Sequence, residues 1–303
     1  MPATHLDGVI LEEIQTTNVV QLGPQLVALQ AWDELNLTSL LESCGMKNPS
    51  IATAQVMITN RLIEPLSEWA LIDWSERTAL PELLETRITK SSKDRLYRTS
   101  DELMKHRKGL EKKLRDHEQS LFALQRSVVL YDVTNTHFEG LCAANPKAKH
   151  GKNKQKRNDC RQVAIGMAFD EHGLPLAHEV FEGNMADTST LAAMLDRLDI
   201  RDDSTPGLKP VVILAYHLLC WIQQRLAEAG DTRDWRTLRR LLGTHSLVTT
   251  RLPLKDGRII SIRKPSLPDA AQAHVYQLLG IDWKSACPPR QTELTKATTS
   301  TTL

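Results

Sequence analysis

A chain of 303 residues, 41% hydrophobic and 25% charged, has the make-up of a globular protein able to bury a core in two or three domains. Its net charge of +1 excludes a protein that is basic or acidic throughout, so a polyanion or membrane surface is met only through local patches. Five scattered cysteines (44, 142, 160, 220 and 287) exclude a disulfide framework and a zinc knuckle and point to a reducing cytoplasm. No apolar run reaches membrane-spanning length, and Met1–Glu13 lacks the basic start and apolar core of a signal peptide.

Residues 1–126 read mostly as helix. Gln25–Trp32 leads to Leu37, Leu40 and Leu41 with helical spacing, and Asn48-Pro49-Ser50 breaks the pattern. Ile51–Ile63 is helical again, with Pro65 after its end. Ser100-Asp101-Glu102 opens a long helix through Leu103, Leu110, Leu114 and Leu121. Its Lys105, Arg107, Lys108, Lys112, Lys113 and Arg115 read as a solvated face.

From residue 127 the period becomes that of strands. Ser127–Thr134 is an apolar run carrying Asp132, and Arg161–Phe169 and Leu174–Phe181 flank the turn signal Asp170–Gly173. Asp187-Thr188-Ser189-Thr190 caps a helix with Leu191, Met194, Leu195 and Leu198 on one face. Pro210–Ala215, β-branched and apolar, reads as a fourth strand inside a sheet. Two helical faces follow, Leu218–Leu226 and Trp235–Leu242, stopping at Gly230 and Gly243. Strands at 247–251 and 258–262 flank the hairpin signal Asp256-Gly257. A last helix covers about 269–279, and the tail after Trp283 reads as disordered.

Strand, hairpin, helix and strand, with an aspartate on the first strand, is the opening of a ribonuclease-H-like fold. Phosphodiester cleavage on such a scaffold uses two divalent ions held by carboxylates from different elements. Five stretches resemble bacterial insertion-sequence transposases of the Asp-Asp-Glu class. They are Tyr131–Gly140, Gly151–Asp159, Gln162–Met167, Gly173–Leu176 and Glu182–Asp187, and Tyr216–Ile222 through Leu238-Arg239 resembles the family's C-terminal end. The resemblance implies a DNA transposase that hydrolyses and transfers strands with magnesium, with Asp132 as a catalytic metal ligand. In the family a second Asp follows the fourth strand, and a β-rich insertion leads to a helix bearing a Glu. Here Tyr216 follows Ala215 directly, so neither carboxylate position exists. A strand entering a helix without Gly, Pro, Asn, Asp or Ser is a poor junction, and an internal deletion is expected.

The expected architecture is α/β: a helical region over 1–126, an incomplete ribonuclease-H-like core over 127–216, and helices, a hairpin and a tail over 217–303. The loop 147–161 concentrates Lys147, Lys149, Lys152, Lys154, Lys156, Arg157 and Arg161 against Asp159 alone. Lys152, Lys154, Lys156, Arg157 and Arg161 are candidate phosphate contacts to double-stranded DNA, without an aromatic to stack bases. His137, Cys142, His150 and Cys160 are too irregularly spaced for a metal site. Asp187 is explained by N-capping and Glu228 by a solvated helix face. The reading is a shortened, catalytically defective transposase in the cytoplasm. Its partners are the element's ends and further copies or full-length subunits. The alternatives are a non-catalytic DNA-binding or regulatory remnant and an unfolded product.

Overall fold

A computed structural model describes residues 8–89, 92–121, 129–140, 142–151, 159–170, 173–185, 189–191, 193–194 and 210–295. The protein is mixed α/β with two antiparallel sheets. It forms two compact units, one of residues 1–30, 66–91 and 223–303, the other of 31–65 and 92–222.

The second unit holds a three-stranded sheet of order β2-β3-β4: Val129–His137, Gln162–Asp170 and Pro175–Glu182. These are the three strands expected from residue 127 onward. The register is uninterrupted from Val129↔Asp170 to His137↔Gln162, and it shifts once between β3 and β4 near Phe169. At the Asp170–Gly173 turn, Gly173 takes φ 81°, and the Asp170 carboxylate accepts from Leu174 N at 2.9 Å. Following α1 (Gly23–Glu34) in the chain, helices α2 (Leu37–Ser43), α3 (Asn48–Ile63) and α6 (Lys93–Leu121) supply the helical part of this unit. Asn36, at φ 50°, ends the turn before α2, and α3 starts at Asn48 because Pro49 suits a first helical turn. The long helix begins at Lys93, earlier than the Ser100 start expected.

Pro210–Ala215 is not a strand. It is the first part of one helix, α7 (Pro210–Glu228), with Val211, Ile213, Leu214, Ala215, Leu218, Trp221 and Ile222 buried. A short apolar run reads equally as a buried strand or a buried helix segment, and its uninterrupted continuation to Glu228 decides for helix. The awkward strand-to-helix junction is therefore not a feature of the molecule. Gly230, at φ 82°, closes α7, with Asp231 N donating to Leu226 O at 2.8 Å.

The first unit is built on a four-stranded sheet of order β1-β5-β6-β7: Gln15–Gln21, Ser246–Pro253, Arg258–Pro265 and Arg290–Thr295. The hairpin at Asp256-Gly257 matches expectation, with Gly257 at φ 87°. The two outer strands depart from it: β1 lies in a region expected to be mostly helical, and β7 lies in the stretch expected to be a disordered tail. Residues 296–303 of that tail lie outside the described residues. Helices α4 (Glu68–Glu76), α5 (Leu80–Leu83), α8 (Trp235–Leu242), α9 (Ala270–Leu278) and α10 (Trp283–Ala286) complete the unit. Ser67, Asp234 and Asp269 cap α4, α8 and α9, the last in a reciprocal capping box with Gln272. Among the described residues no helix is long and apolar enough to cross a membrane.

Candidate functional site

Asp132 sits in mid-strand on β2. Exposure alternates along the strand, with Leu130, Asp132, Thr134 and Thr136 open and the residues between them half-covered. Asp132 lies opposite Met167 on β3, which in turn pairs with His178 on β4. The His178 ring is buried, with its Nδ1 2.8 Å from Glu111 Oε1, so it serves the core. Among the described residues no group of three or more His, Cys, Asp or Glu side chains is arranged to hold a metal ion. One exposed carboxylate on an open strand face does not fit a two-ion centre, which needs several hard oxygen ligands converging.

The foot of the basic loop is closely built. Lys149 and Gln162 exchange backbone hydrogen bonds at 3.0 and 2.9 Å, Phe138 N donates to Arg161 O at 2.8 Å, and Gly183 N donates to Lys147 O at 3.1 Å. The buried Gln162 side chain adds a bond from Nε2 to Gly183 O at 2.7 Å. A Cβ on Gly151 would stand 2.2 Å from Gly183 O, and one on Gly183 would stand 2.0 Å from Gln162 O. Three segments thus approach one another closely enough that only glycine fits at both positions. The chain leaves this point at Gly151 and returns at Asp159. Lys152, Lys154, Lys156 and Arg157 lie outside the described residues, whereas Arg161 is half-buried at the end of the loop. Asp187 also lies outside them. Glu228 is exposed and pairs with Arg225 at 3.3 Å, as a solvated helix face implies.

A buried ionic cluster braces the same foot. The Glu179 carboxylate, on β4, lies 3.5 Å from Arg107 of α6 and 3.5 Å from Lys147 Nζ. Lys147 Nζ also donates to Val180 O. Burial holds the Lys147 amine below the ordinary lysine range, against the upward pull of Glu179. Further along α6, Glu118 Oε1 lies 2.6 Å from His217 Nδ1 of α7, with both residues buried. The expectation that Arg107 belongs to a solvated face is corrected here: it is 4% exposed and paired. Lys113 likewise reaches across to Ser43, 2.6 Å from its Oγ. The signal that would have found Arg107 and Glu118 is spacing. Leu103, Arg107, Leu110, Leu114 and Glu118 recur at intervals of three and four, so the two charges lie on the leucine stripe itself.

Comparison with protein-family models, with curated proteins and with solved structures finds no match. What the site offers chemically is a rigid, glycine-packed base for a cation-rich loop, beside a strand carrying one exposed carboxylate.

Proposed function

We propose that the chain is a shortened insertion-sequence transposase of the Asp-Asp-Glu class, whose remaining capacity is to bind double-stranded DNA without cutting it. The observation that carries this reading is the meeting of Gly151, Gln162 and Gly183 at the foot of the basic loop. Each comes from a different stretch of the resemblance, and their requirement for one another gives those separated motifs a common physical reason. The antiparallel β2-β3-β4 sheet, with Asp132 on its first strand, supports reading the second unit as the opening of an incomplete ribonuclease-H-like core. With a helix at Pro210–Glu228, neither a strand-to-helix junction nor a strand end marks where the second Asp would stand, so the inferred deletion rests on the resemblance alone, in which Tyr216–Ile222 matches the family's C-terminal end.

Strand transfer would use magnesium in the family, but the described carboxylates do not fit a two-ion centre. DNA binding through Lys152, Lys154, Lys156, Arg157 and Arg161 needs no metal. Replacing the first four by alanine flattens the salt dependence of duplex binding by a log–log slope of about 0.9 for each phosphate no longer neutralised. Asp132→Ala leaves binding unchanged. Magnesium-dependent cleavage of duplexes carrying the element's ends that disappears in Asp132→Ala would overturn the non-catalytic reading. An unchanged salt slope in the loop variant would remove the loop from the interface.

A further inference from the structure

Helix α6 gathers its basic residues in one stretch. Leu103–Arg115 holds six Lys and Arg against one Glu. Two of these charges are engaged on the inner side of the helix, Arg107 with Glu179 at 3.5 Å and Glu111 with His178 at 2.8 Å. The five cations left are Lys105, Lys108, Lys112, Lys113 and Arg115, and Lys113 reaches Ser43. Asp101 and Asp116, each one turn beyond the nearest exposed lysine, mark the ends of the basic stretch.

Lys105 and Lys112 are exposed and make neither a hydrogen bond nor an ion pair among the described residues. At 3.6 residues per turn they lie on the same side of the helix, two turns and about 10 Å apart. Between them stands Gly109, also exposed, four residues after one and three before the other. Its backbone is that of the helix, outside the left-handed region, and a Cβ added there would meet nothing within 4 Å. Neither conformation nor crowding therefore asks for glycine, which costs a helix interior about 1 kcal/mol relative to alanine. A solvated face accounts for the lysines, whereas it leaves Gly109 unexplained. What glycine supplies at such a place is close approach of another molecule to the helix backbone.

We infer that the outer face of α6 around Gly109 is a second contact to the phosphate backbone of double-stranded DNA, with Lys105 and Lys112 neutralising phosphates on either side of the gap that the glycine leaves. The inference rests on the proposed DNA-binding reading but on residues apart from the basic loop. Because the cations and the glycine belong to one helix face, they form one surface. Charge decides the occupant. A second copy of this face would set lysine against lysine, whereas a polyanion relieves the repulsion of Lys108 and Lys112 at i, i+4. Lysine ammonium groups are point charges, suited to holding a phosphate chain in place rather than to reading bases.

The test uses the full chain and a fluorescently labelled duplex of mixed sequence, titrated between about 50 and 200 mM salt. The variants are Lys105→Gln with Lys112→Gln, Gly109→Ala, and the four-residue alanine variant of the loop, with a thermal melt of each. The lysine pair is expected to flatten the log–log slope by about 1.8, at about 0.9 per phosphate, with an unchanged melt. Gly109→Ala is expected to weaken duplex binding several-fold while the chain becomes more stable, a combination that damage to the fold does not produce. An unchanged slope in the lysine pair, or wild-type affinity in Gly109→Ala, overturns the inference. If the loop variant alone flattens the slope, the proposed function stands without it. Flattening by the lysine pair and weakened binding by Gly109→Ala, with the loop variant unchanged, supports the inference and removes the loop from the interface. A wild-type chain that binds no duplex overturns both. A dimer in sedimentation that Gly109→Ala dissociates, with duplex binding unaffected, overturns the inference by giving the face to a second copy.

Discussion

Glu179 offers the sharpest test of how the loop foot is held. Its carboxylate faces two cations at 3.5 Å, and all but about one twenty-fifth of its side chain is buried. At that distance each attraction is about 5 kcal/mol for an effective dielectric of 20, before the opposing desolvation. Removing one partner of a buried pair strands the other, at roughly 3–5 kcal/mol. Glu179→Leu strands two cations, Arg107 and Lys147, so it belongs at or above the top of that range. Arg107→Met leaves Glu179 still paired with Lys147 and costs about 2–3 kcal/mol. Lys147→Met costs least, about 1 kcal/mol, because Lys147 is 17% exposed in its side chain and its charge is already disfavoured by burial. Urea unfolding followed by circular dichroism and tryptophan fluorescence gives the three midpoints. The order Glu179, Arg107, Lys147 is the prediction. A Lys147→Met variant as damaged as Glu179→Leu, or a Glu179→Leu loss below about 1 kcal/mol, would show that the cluster does not brace the fold through charge.

Three further outcomes follow from single sites. His245 is fully buried, its Nδ1 accepting from Tyr276 Oη at 2.7 Å and its Nε2–H donating to Ser266 O at 3.0 Å, and burial lowers its pKa from the ordinary 6.5. The unfolded chain therefore binds the proton more readily, so the contribution is complete above 6.5 and is lost as pH falls through the folded value. The melting temperature should hold above about pH 6.5 and drop as the pH is lowered below it, and a His245→Gln variant should flatten that dependence. Gly151→Ala forces a Cβ to 2.2 Å from Gly183 O and should cost about 1–3 kcal/mol in urea unfolding. Gly109→Ala, in the middle of α6 with nothing within 4 Å of the new Cβ, should instead raise stability by up to about 1 kcal/mol.

How much of the molecule is legible in its sequence depends on how local the deciding interaction is. The three strands of the second unit, the Asp256-Gly257 hairpin, and the helices stopping at Gly230, Gly243 and Gly280 carry their own turn and cap signals within a few residues. Strand β1 does not, because its partner is β5, with Gln15 opposite Arg251. Thr16, Thr17, Val19 and Val20 suit a strand, but no neighbouring segment completes the pattern. The same holds for β7, whose partner β6 lies beyond two intervening helices. At the candidate site the glycines and Gln162 stand out within the resemblance, whereas their mutual contact is visible only in three dimensions.

Residues 210–215 are where helix and strand make opposite predictions. In the helix, Val212 lies near the start and is 37% exposed, while its neighbour Ile213 is 4% exposed. A carboxylate in the first helical turn is favourable, by about 0.3–1 kcal/mol, because it meets the positive end of the dipole and stays in water. Val212→Glu should therefore leave stability unchanged or slightly raised. Ile213→Glu places a charge where apolar packing now stands and should cost at least about 3 kcal/mol. In an inner strand covered on both faces, successive residues are buried alternately on the two sides and both substitutions would be ruinous. The two urea midpoints, read against wild type, separate the cases. A Val212→Glu chain as unstable as Ile213→Glu would restore the strand and with it the junction argument for a deletion at Ala215. A tolerated Val212→Glu leaves only the resemblance, in which Tyr216–Ile222 follows with no second Asp before it, as a ground for proposing that deletion.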